Sequence, residues 1–269
     1  MANIKTHLYT ESFGQGPSLS LIHGWGAESA VWRDWAETYL SANFKVTLID
    51  LPGFGQSPPL KNLHQDEVNQ AWLALIAEAL PEQTYLLGWS LGGLMAQQLA
   101  LRFPNKVKKL ACIASTPRFI QADDWRYGVS MPLIADFVKA VGLDSAALLN
   151  RFWKLQLQGS DGGRRLIKHF VDQMKHRQLP SISGLQQGLQ LLRDVDLRSS
   201  LIDIQVPSLW LLGEKDPLVP LAVTQGLLQC QPTASIAVIE GAAHVPFYSH
   251  PEQTADALIH FLIEGSLED

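Results

Sequence analysis

The sequence predicts an α/β fold, in which helices flank a mostly parallel central sheet and a helical cap is inserted into the sheet domain. Short apolar runs alternate with longer segments that have helical spacing of apolar residues. The alternation stops between about residue 117 and residue 200, and it resumes after that point. We therefore expect residues 1–116 and 201–269 to form the sheet domain and residues 117–200 to form the cap.

Six short apolar runs have the character of buried strands. Each is five to eight residues long and rich in Val, Ile and Leu, which is typical of parallel strands covered on both faces. The predicted strands are residues 18–22, 45–50, 84–88, 107–114, 208–213 and 235–240.

Helical spacing marks the segments between these strands and most of the predicted cap. The predicted helices of the sheet domain are residues 29–41, 64–80, 91–103, 220–230 and 251–263. Residues 117–200 contain helical segments and no convincing strand, so we expect a helical cap.

Composition is that of a soluble globular enzyme, with 46% hydrophobic and 17% charged residues in a chain of 269. The apolar runs fall far short of the ~20 residues that cross a bilayer, and the amino terminus has no apolar signal core. We expect a cytoplasmic protein. Cys112 and Cys230 lie far apart in apolar segments, so we expect reduced, buried thiols and neither a metal site nor a cofactor.

The stretch Gly88-Trp89-Ser90-Leu91-Gly92 fits the pattern G-x-S-x-G. It follows a predicted strand and opens a predicted helix, the context in which this pattern exposes a nucleophilic serine on a tight turn. The glycines keep side chains away, so that strand and helix can approach closely. The alternative is that Ser90 only caps the helix, since serine is a favoured N-cap residue.

A nucleophilic serine needs a histidine base, and the histidine needs a carboxylate that fixes its tautomer. In the fold that carries this pattern, the partners follow the serine in the order Asp, His. Asp216 lies just beyond one predicted strand and His244 in the loop after the next, so both can converge on the site. We predict the catalytic triad Ser90, Asp216 and His244.

Other acidic and histidine residues compete for the roles of acid and base: Asp50, Glu214, His23, His64 and His250. Asp50 precedes Ser90 in the chain, and Glu214 lies nearer to its strand than Asp216 does. Order, loop position and mutual spacing therefore favour Asp216 and His244.

Two backbone amides are predicted to bind the oxyanion of a tetrahedral intermediate. One belongs to Leu91, at the start of a helix, where free N–H groups and the helix dipole favour negative charge. The other belongs to Trp25, in the early strand-to-helix loop that follows His23 and Gly24. We interpret His23 as a structural residue that orders this loop.

Five motifs together resemble the α/β-hydrolase family: HGWG, DLPGFGQS, LGWSLGGL, LLGEKDPLVP and AAHVPFYSHP. They lie on both sides of the predicted cap, so the resemblance implies an α/β-hydrolase fold across the chain. Within that superfamily, HGWG with GWSLGG, RDVDLR and AAHVPFYSHP resemble the pimeloyl-acyl carrier protein methyl ester esterases of biotin synthesis. That resemblance implies hydrolysis of a methyl ester at the far end of a pimeloyl chain, whose other end is thioesterified to the carrier protein.

Such a substrate is linear and apolar, which favours an aromatic-lined slot beneath the cap. Trp25 is the best candidate from the sheet domain for the wall of this slot, with Ser90, Leu91 and His244 at its reacting end. The resemblance adds a segment of the cap as further wall: Phe152, Trp153, Lys154, Leu155 and Gln156.

The predicted cap carries a net positive charge, and the rest of the chain carries a net negative charge. Residues 118–200 carry a net charge of +4, and the remainder carries −9. A charged run is usually a solvated helix face, but an acidic carrier protein would need a basic surface beside the site. Nucleic acid fits poorly, because the overall charge is −5 and no nucleic-acid motif is present. The predicted docking residues are Arg151, Arg164, Arg165 and Lys168.

The sequence thus predicts a monomeric serine carboxylesterase that acts on a carrier-bound methyl ester. A general short-chain esterase, or another enzyme with the same triad such as a C–C hydrolase, lyase or acyltransferase, stays open. A hydrolase fold that only binds would be expected to have a broken triad, and here all three members are present.

Overall fold

The computed structural model describes residues 7–264 and has at its centre a seven-stranded sheet flanked by helices. The strand order is β1-β3-β2-β4-β5-β6-β7, with β1 antiparallel to β3 and every other pair parallel. The strands are β1 (Thr10–Phe13), β2 (Ser18–Ile22), β3 (Lys45–Ile49), β4 (Thr84–Trp89), β5 (Val107–Ile113), β6 (Ser208–Gly213) and β7 (Ser235–Ile239).

Six of these strands, β2 to β7, confirm the runs predicted from sequence. They alternate with helices, as parallel strands require, because each crossover must carry the chain back to the start of the next strand. Strand β1 was not predicted. It is a four-residue edge strand that alternates exposed and half-buried positions, so it lacks the apolar run that marks the others.

The helices pack their apolar faces against the sheet or against one another. They are α1 (Arg33–Tyr39), α2 (Val68–Ala79), α3 (Leu91–Arg102), α4 (Met131–Gln156), α5 (Gly163–Lys175), α6 (Ile182–Asp194), α7 (Val223–Cys230), α8 (Pro246–Ser249) and α9 (Pro251–Glu264). Helix α3 is buried over its first ten residues because it packs directly on β4 and β5. Among the described residues, no helix combines the length and the apolar character needed to span a membrane.

Three helices, α4 to α6, lie between β5 and β6, where the sequence predicted a helical cap. Helix α4 is broken at Asp144, whose φ of −156° and ψ of 85° are not helical. The carboxylate of Asp144 accepts a hydrogen bond of 2.9 Å from the amide of Ala147, which caps the second half of the helix. We refer to residues 117–200 as the helical insertion. Its status as a separate cap domain stays a prediction.

An ionic cluster joins the two ends of the helical insertion. Arg118 follows β5, and it pairs with Asp196, which precedes β6. Arg198 donates to both oxygens of the Asp196 carboxylate, at 2.9 and 2.8 Å, and also pairs with Asp124 at 2.9 Å. Hydrogen bonds from the two guanidinium groups more than offset partial burial and lower the pKa of Asp196 to about 2.

Replacing Asp196 by asparagine is expected to lower the free energy of unfolding by about 1 kcal/mol at pH 7, the scale of a partly exposed ion-pair cluster. Because the pKa of Asp196 is lowered by folding, its contribution is fully present above its unfolded value. The contribution is then lost as the pH falls from about 4 towards 2. Urea unfolding of the wild type and the variant, at pH 7 and at pH 3, measures the loss in the free energy of unfolding at each pH. The matched control is Asp194→Asn, which removes only a local pair with the adjacent Arg193. Equal losses in the two variants would contradict a joining role for the cluster.

Candidate active site

Ser90 lies on the turn between β4 and α3 and has a strained backbone, with φ of 55° and ψ of −117°. The flanking glycines are required by close backbone approach. A Cβ atom on Gly88 would lie 2.3 Å from the carbonyl oxygen of Gly92, and one on Gly92 would lie 2.2 Å from that of Ile22. Strand and helix can therefore make this turn only with glycine at both positions, as the motif predicts.

The Ser90 hydroxyl makes no capping bond to helix α3, although Ser90 occupies the N-cap position. Its Oγ atom instead lies 2.9 Å from Nε2 of His244. The interpretation of Ser90 as a simple helix cap is therefore not supported by the geometry.

Asp216, His244 and Ser90 form one continuous hydrogen-bonded chain. Nδ1 of His244 lies 2.8 Å from Oδ2 of Asp216, and both side chains are completely buried. The other carboxylate oxygen, Oδ1, accepts from the amides of Leu218 and Val219 at 2.8 and 3.0 Å. Since an ionised carboxylate only accepts, Nδ1 of His244 carries the proton, and Nε2 is free to accept from the serine hydroxyl.

The backbone of His244 is held from two sides. Its amide donates to the carbonyl oxygen of Gln156 at 2.9 Å, which ties it to the end of α4 in the helical insertion. Its carbonyl oxygen accepts from Nε1 of Trp89 at 2.8 Å, which ties it to the end of β4. Both bonds restrict the position of the imidazole relative to Ser90.

The competing acids are engaged elsewhere. The carboxylate of Glu214 accepts from the amide of Gly241 at 2.9 Å. The carboxylate of Asp50 accepts from the amides of Ser29 and Gln56 at 2.7 and 2.8 Å, so it joins two loops. Each of these groups satisfies backbone donors, and neither bonds the imidazole of His244.

The competing histidines do not contact Ser90. His23 is fully buried, its Nδ1 lies 2.8 Å from the carbonyl oxygen of Gly24, and its Nε2 accepts from the amide of Leu51 at 3.0 Å. Burial lowers the pKa of His23, so its neutral form is favoured, in agreement with the structural role predicted for it. His64 is exposed, and His250 bonds a neighbouring serine hydroxyl.

The two predicted oxyanion donors, Leu91 and Trp25, are both buried, and binding of an oxyanion by their amides stays a prediction. Leu91 is the first residue of α3, ahead of the intrahelical hydrogen-bond ladder. Trp25 is buried, and its Nε1 donates to the carbonyl oxygen of Leu185 in α6 at 3.0 Å. Three residues further on, Glu28 pairs with Arg177 of the helical insertion at 3.3 Å, so a second contact attaches the loop that carries Trp25 to the insertion.

A narrow cavity beneath the helical insertion opens onto Ser90. Apart from Ser90 itself, the side chains that line it are apolar or aromatic: Trp25, Phe119, Val129, Leu133, Ile134, Phe137, Phe152, Leu189, Leu192 and Leu218. Only Trp25, Ser90 and Phe152 were predicted from sequence. The others carry no local signal, because apolar residues at helical spacing look the same whether they face a core or a cavity.

The cap segment predicted to bind substrate has a mixed placement. Phe152 lines the cavity and packs edge-on against Trp25, with ring centroids 4.9 Å apart. Trp153 is buried, and its Nε1 donates to the carbonyl oxygen of Gly26 at 2.8 Å. Gln156 is also buried, and neither polar atom of its side chain has a partner among the described residues. Contact of Trp153 and Gln156 with substrate stays a prediction.

The predicted docking residues are all exposed on α4 and α5: Arg151, Arg164, Arg165 and Lys168. None of the four forms an ion pair with another residue of the described part of the chain. Arg151 lines a surface depression together with Lys154 and Leu155, two members of the predicted cap segment that do not line the cavity at Ser90.

Residues 7–264 contain no group of three or more His, Cys, Asp or Glu side chains arranged to hold a metal ion. Cys112 and Cys230 are free thiols, and the prediction that both are buried is right for Cys112 and wrong for Cys230, which is half-buried. Burial raises the pKa of Cys112, which keeps the thiol protonated and unsuited to act as a nucleophile.

Comparisons with known proteins agree with this geometry. A family model described as the alpha/beta hydrolase fold matches residues 17–251. The pimeloyl-[acyl-carrier protein] methyl ester esterase of Aeromonas hydrophila subsp. hydrophila is 40% identical over 253 residues, which cover 94% of this chain and 98% of that protein. The protein of the same name from Vibrio parahaemolyticus is 38% identical over 250 residues, with 93% and 96% covered.

Solved structures show the same fold at lower identity. An esterase from Exiguobacterium antarcticum superposes with a TM-score of 0.84 at 23% identity, covering 96% of each chain. An enol-lactonase from Burkholderia xenovorans superposes with a TM-score of 0.81 at 20% identity, covering 97% of this chain and 98% of that one. The different activities in these names show that the fold alone does not select a substrate.

Proposed function

The chain belongs to the α/β-hydrolase family, and within it to the pimeloyl-[acyl-carrier protein] methyl ester esterases. From this membership we propose that it hydrolyses the methyl ester of a pimeloyl-acyl carrier protein, releasing methanol and a free carboxylate in biotin synthesis. It is a carboxylic ester hydrolase. The observation that carries the proposal is the hydrogen-bonded chain from Asp216 through His244 to Ser90 at the end of an apolar cavity.

In the first half-reaction, Nε2 of His244 takes the hydroxyl proton of Ser90 as Oγ bonds to the ester carbonyl carbon. The carbonyl electron pair moves to oxygen, and we propose that the amides of Trp25 and Leu91 bind that oxyanion. The carbon–oxygen double bond then re-forms, and the bond to the methoxy group breaks. His244 donates its proton to the departing oxygen, so methanol leaves and the acyl group remains on Ser90.

In the second half-reaction a water molecule repeats these steps. His244 takes a proton from water as the water oxygen bonds to the acyl carbon, and it returns that proton to Oγ of Ser90 as the acyl bond breaks. The buried carboxylate of Asp216 stabilises the imidazolium in both halves. The products are the free acid and the regenerated serine.

The apolar lining suits a methylene chain whose end is masked as a methyl ester, because a free carboxylate would lose its hydration there without a cationic partner. The buried and unpartnered amide of Gln156 supports its predicted contact with the substrate. The free thiols fit the reducing conditions of the cytoplasm, which we propose as the location, with the enzyme acting as a monomer.

The test of this proposal is a ranking of kcat/KM for pimeloyl-acyl carrier protein methyl ester against simple esters of two to eight acyl carbons. We expect the carrier-linked methyl ester to rank first. A preference for short free esters would identify a general esterase instead. Absence of ester hydrolysis would contradict the assignment.

Docking of the carrier protein is proposed on the exposed faces of α4 and α5. Four cations there have no ionic partner among the described residues, and they lie on the insertion that covers the cavity. An arginine binds a phosphate or carboxylate in bidentate fashion, and a lysine attracts it as a point charge. The surface thus fits an acidic partner with a phosphate-bearing arm.

Reversing these four cations is expected to lower kcat/KM for the carrier-linked ester by at least about 100-fold, since each contact contributes about 1 kcal/mol at an exposed rim. The variant is Arg151→Glu, Arg164→Glu, Arg165→Glu and Lys168→Glu. Hydrolysis of p-nitrophenyl butyrate should stay within about 2-fold of wild type, because none of the four side chains lines the cavity that opens onto Ser90. Steady-state rates on both substrates at low and high salt make the measurement.

A matched control changes net charge equally on the sheet domain, at exposed cations outside α4 and α5: Lys45, Lys61, Arg102 and Lys108, each to Glu. If both quadruple variants lost carrier-linked activity alike, long-range charge and not a docking surface would be responsible. If neither lost it, α4 and α5 would present ordinary solvated faces.

A further inference from the structure

The end of β5 holds the backbone of Ser90 from both sides. The amide of Ser90 donates to the carbonyl oxygen of Ile113 at 2.9 Å. The hydroxyl of Ser115 donates to the carbonyl oxygen of Ser90 at 2.8 Å, and Ser115 is completely buried. The strained turn is thus fixed at its N–H and at its C=O by two residues only two positions apart.

The residue between these two contacts is itself strained. Ala114 has a φ of 46°, in the left-handed region that non-glycine residues seldom occupy, and its amide donates to the carbonyl oxygen of Leu211 in β6 at 2.9 Å. This turn directs the Ser115 hydroxyl beneath the start of α3. Such strain persists only where the surrounding structure over-determines it, which makes its location informative.

The hydroxyl of Ser115 has one further partner. Nε2 of Gln97, a buried residue of α3, lies 3.5 Å from Oγ of Ser115 and 3.4 Å from the carbonyl oxygen of Thr116. Because the Gln97 amide donates to Oγ, the proton of the Ser115 hydroxyl is left for the Ser90 carbonyl. Helix and turn approach so closely that a Cβ atom on Gly93 would lie 2.5 Å from Cβ of Ser115.

The Ser90 carbonyl and the Leu91 amide belong to one peptide group. That group is planar and trans, so its N–H points opposite to its C=O. We infer that Ser115 is a positioning residue that aims the Leu91 amide at the oxyanion by holding the Ser90 carbonyl. This inference rests on the proposed esterase mechanism. The Ser90 carbonyl also accepts from the Leu94 amide at 3.1 Å. Ser115 adds a second hydrogen bond, which restricts the orientation of the Ser90–Leu91 peptide plane and polarises the Leu91 N–H.

The test is the Ser115→Ala variant, assayed on p-nitrophenyl butyrate. We expect kcat to fall by about 10-fold or more with KM nearly unchanged, because a misdirected oxyanion donor matters in the transition state and not in the ground state. The affinity of an alkyl boronic acid, which forms a tetrahedral adduct with a nucleophilic serine, should fall by a similar factor. Cysteine is close to serine in size but is a weaker donor, so the kcat and boronic acid affinity of Ser115→Cys should lie between those of wild type and of Ser115→Ala.

The chain offers a matched control in Ser208, at the start of β6. Its hydroxyl is also buried, donates to a backbone carbonyl (Val206, 3.0 Å) and accepts from a glutamine amide (Gln231, 3.0 Å). Ser208→Ala removes the same kinds of bond away from the turn. We expect it to lower the melting temperature without changing kcat or boronic acid affinity.

The outcomes separate the inference from the mechanism on which it depends. An active wild type whose Ser115→Ala and Ser208→Ala variants have equal kcat would overturn the inference alone. If kcat and 1/KM fell equally in Ser115→Ala while its boronic acid affinity stayed unchanged, the inference would also be overturned. A wild-type protein that hydrolyses no ester and binds no boronic acid would overturn the proposed function, and the inference with it.

Discussion

Replacement of Ser90 by alanine is expected to lower kcat for ester hydrolysis by roughly a million-fold, the scale of losing the nucleophile in a serine hydrolase. The Ser90 hydroxyl is the atom that forms the acyl-enzyme, and no other serine hydroxyl bonds His244 in the described chain. The variant should also lose covalent labelling by a fluorophosphonate. Single-turnover kinetics and mass spectrometry of the labelled protein measure both losses.

The fold should survive this change, since alanine keeps the Cβ atom and leaves the strained φ of 55° unaltered. The control is Ser249→Ala, which removes a serine hydroxyl in the helix that follows the His244 loop but outside the hydrogen-bonded chain. We expect that variant to be labelled and active. Labelling that persisted in Ser90→Ala would contradict the assignment of the nucleophile.

Replacement of His244 by alanine is expected to cost about as much as the loss of Ser90, because the two residues act as a unit. Without the imidazole, nothing within hydrogen-bonding distance of Oγ accepts its proton in the described structure. The measurement is kcat on p-nitrophenyl butyrate, with and without added imidazole. His250→Ala, which removes a nearby imidazole that does not bond Ser90, serves as the control.

Asp216→Asn tests how the acid acts in this unit, and the surroundings determine which way the amide faces. Oδ1 of Asp216 accepts from two backbone amides, so the asparagine oxygen must keep that side. The NH₂ group of the asparagine then donates to Nδ1 of His244, so the imidazole proton has to lie on Nε2 instead of Nδ1. That tautomer cannot take the proton of Ser90, so we expect a loss of roughly 10,000-fold. Near-normal activity would point to Glu214 or Asp50 as the acid.

Much of the fold could be predicted because its signals are local. A strand buried on both faces needs a continuous apolar run, and a surface helix needs apolar spacing near 3.6, so β2 to β7 and the helices between them are visible in the sequence. Strand β1 escaped prediction because it pairs with residues of β3 that lie 33 to 39 positions away in the chain. An edge strand half exposed to water has little apolar signal of its own.

The hydrogen-bonded chain of Ser90, Asp216 and His244 was also predictable, for a different reason. Each residue follows the carboxyl end of a parallel strand, and those ends lie along one edge of the sheet whatever the intervening chain does. Ser90 and His244, 154 positions apart, therefore meet within 2.9 Å, and Asp216 and His244, 28 positions apart, within 2.8 Å. Position in the loop after β6 favoured Asp216 over Glu214, which lies directly after the strand and whose carboxylate bonds the Gly241 amide instead.

The sequence by itself determined the parallel sheet, the turn that presents Ser90 and the partners of that serine, since all three depend on short-range pattern and on the order of strands. Only the tertiary structure decided which apolar residues of the helical insertion face the cavity and which, like Trp153, brace a loop. It alone also brought the Ser115 hydroxyl onto the Ser90 carbonyl. The physical reason is that burial and hydrogen bonding are satisfied by any suitable neighbour, near or far in the chain. Periodicity reveals that a side chain is buried, and only the packed structure selects what it is buried against.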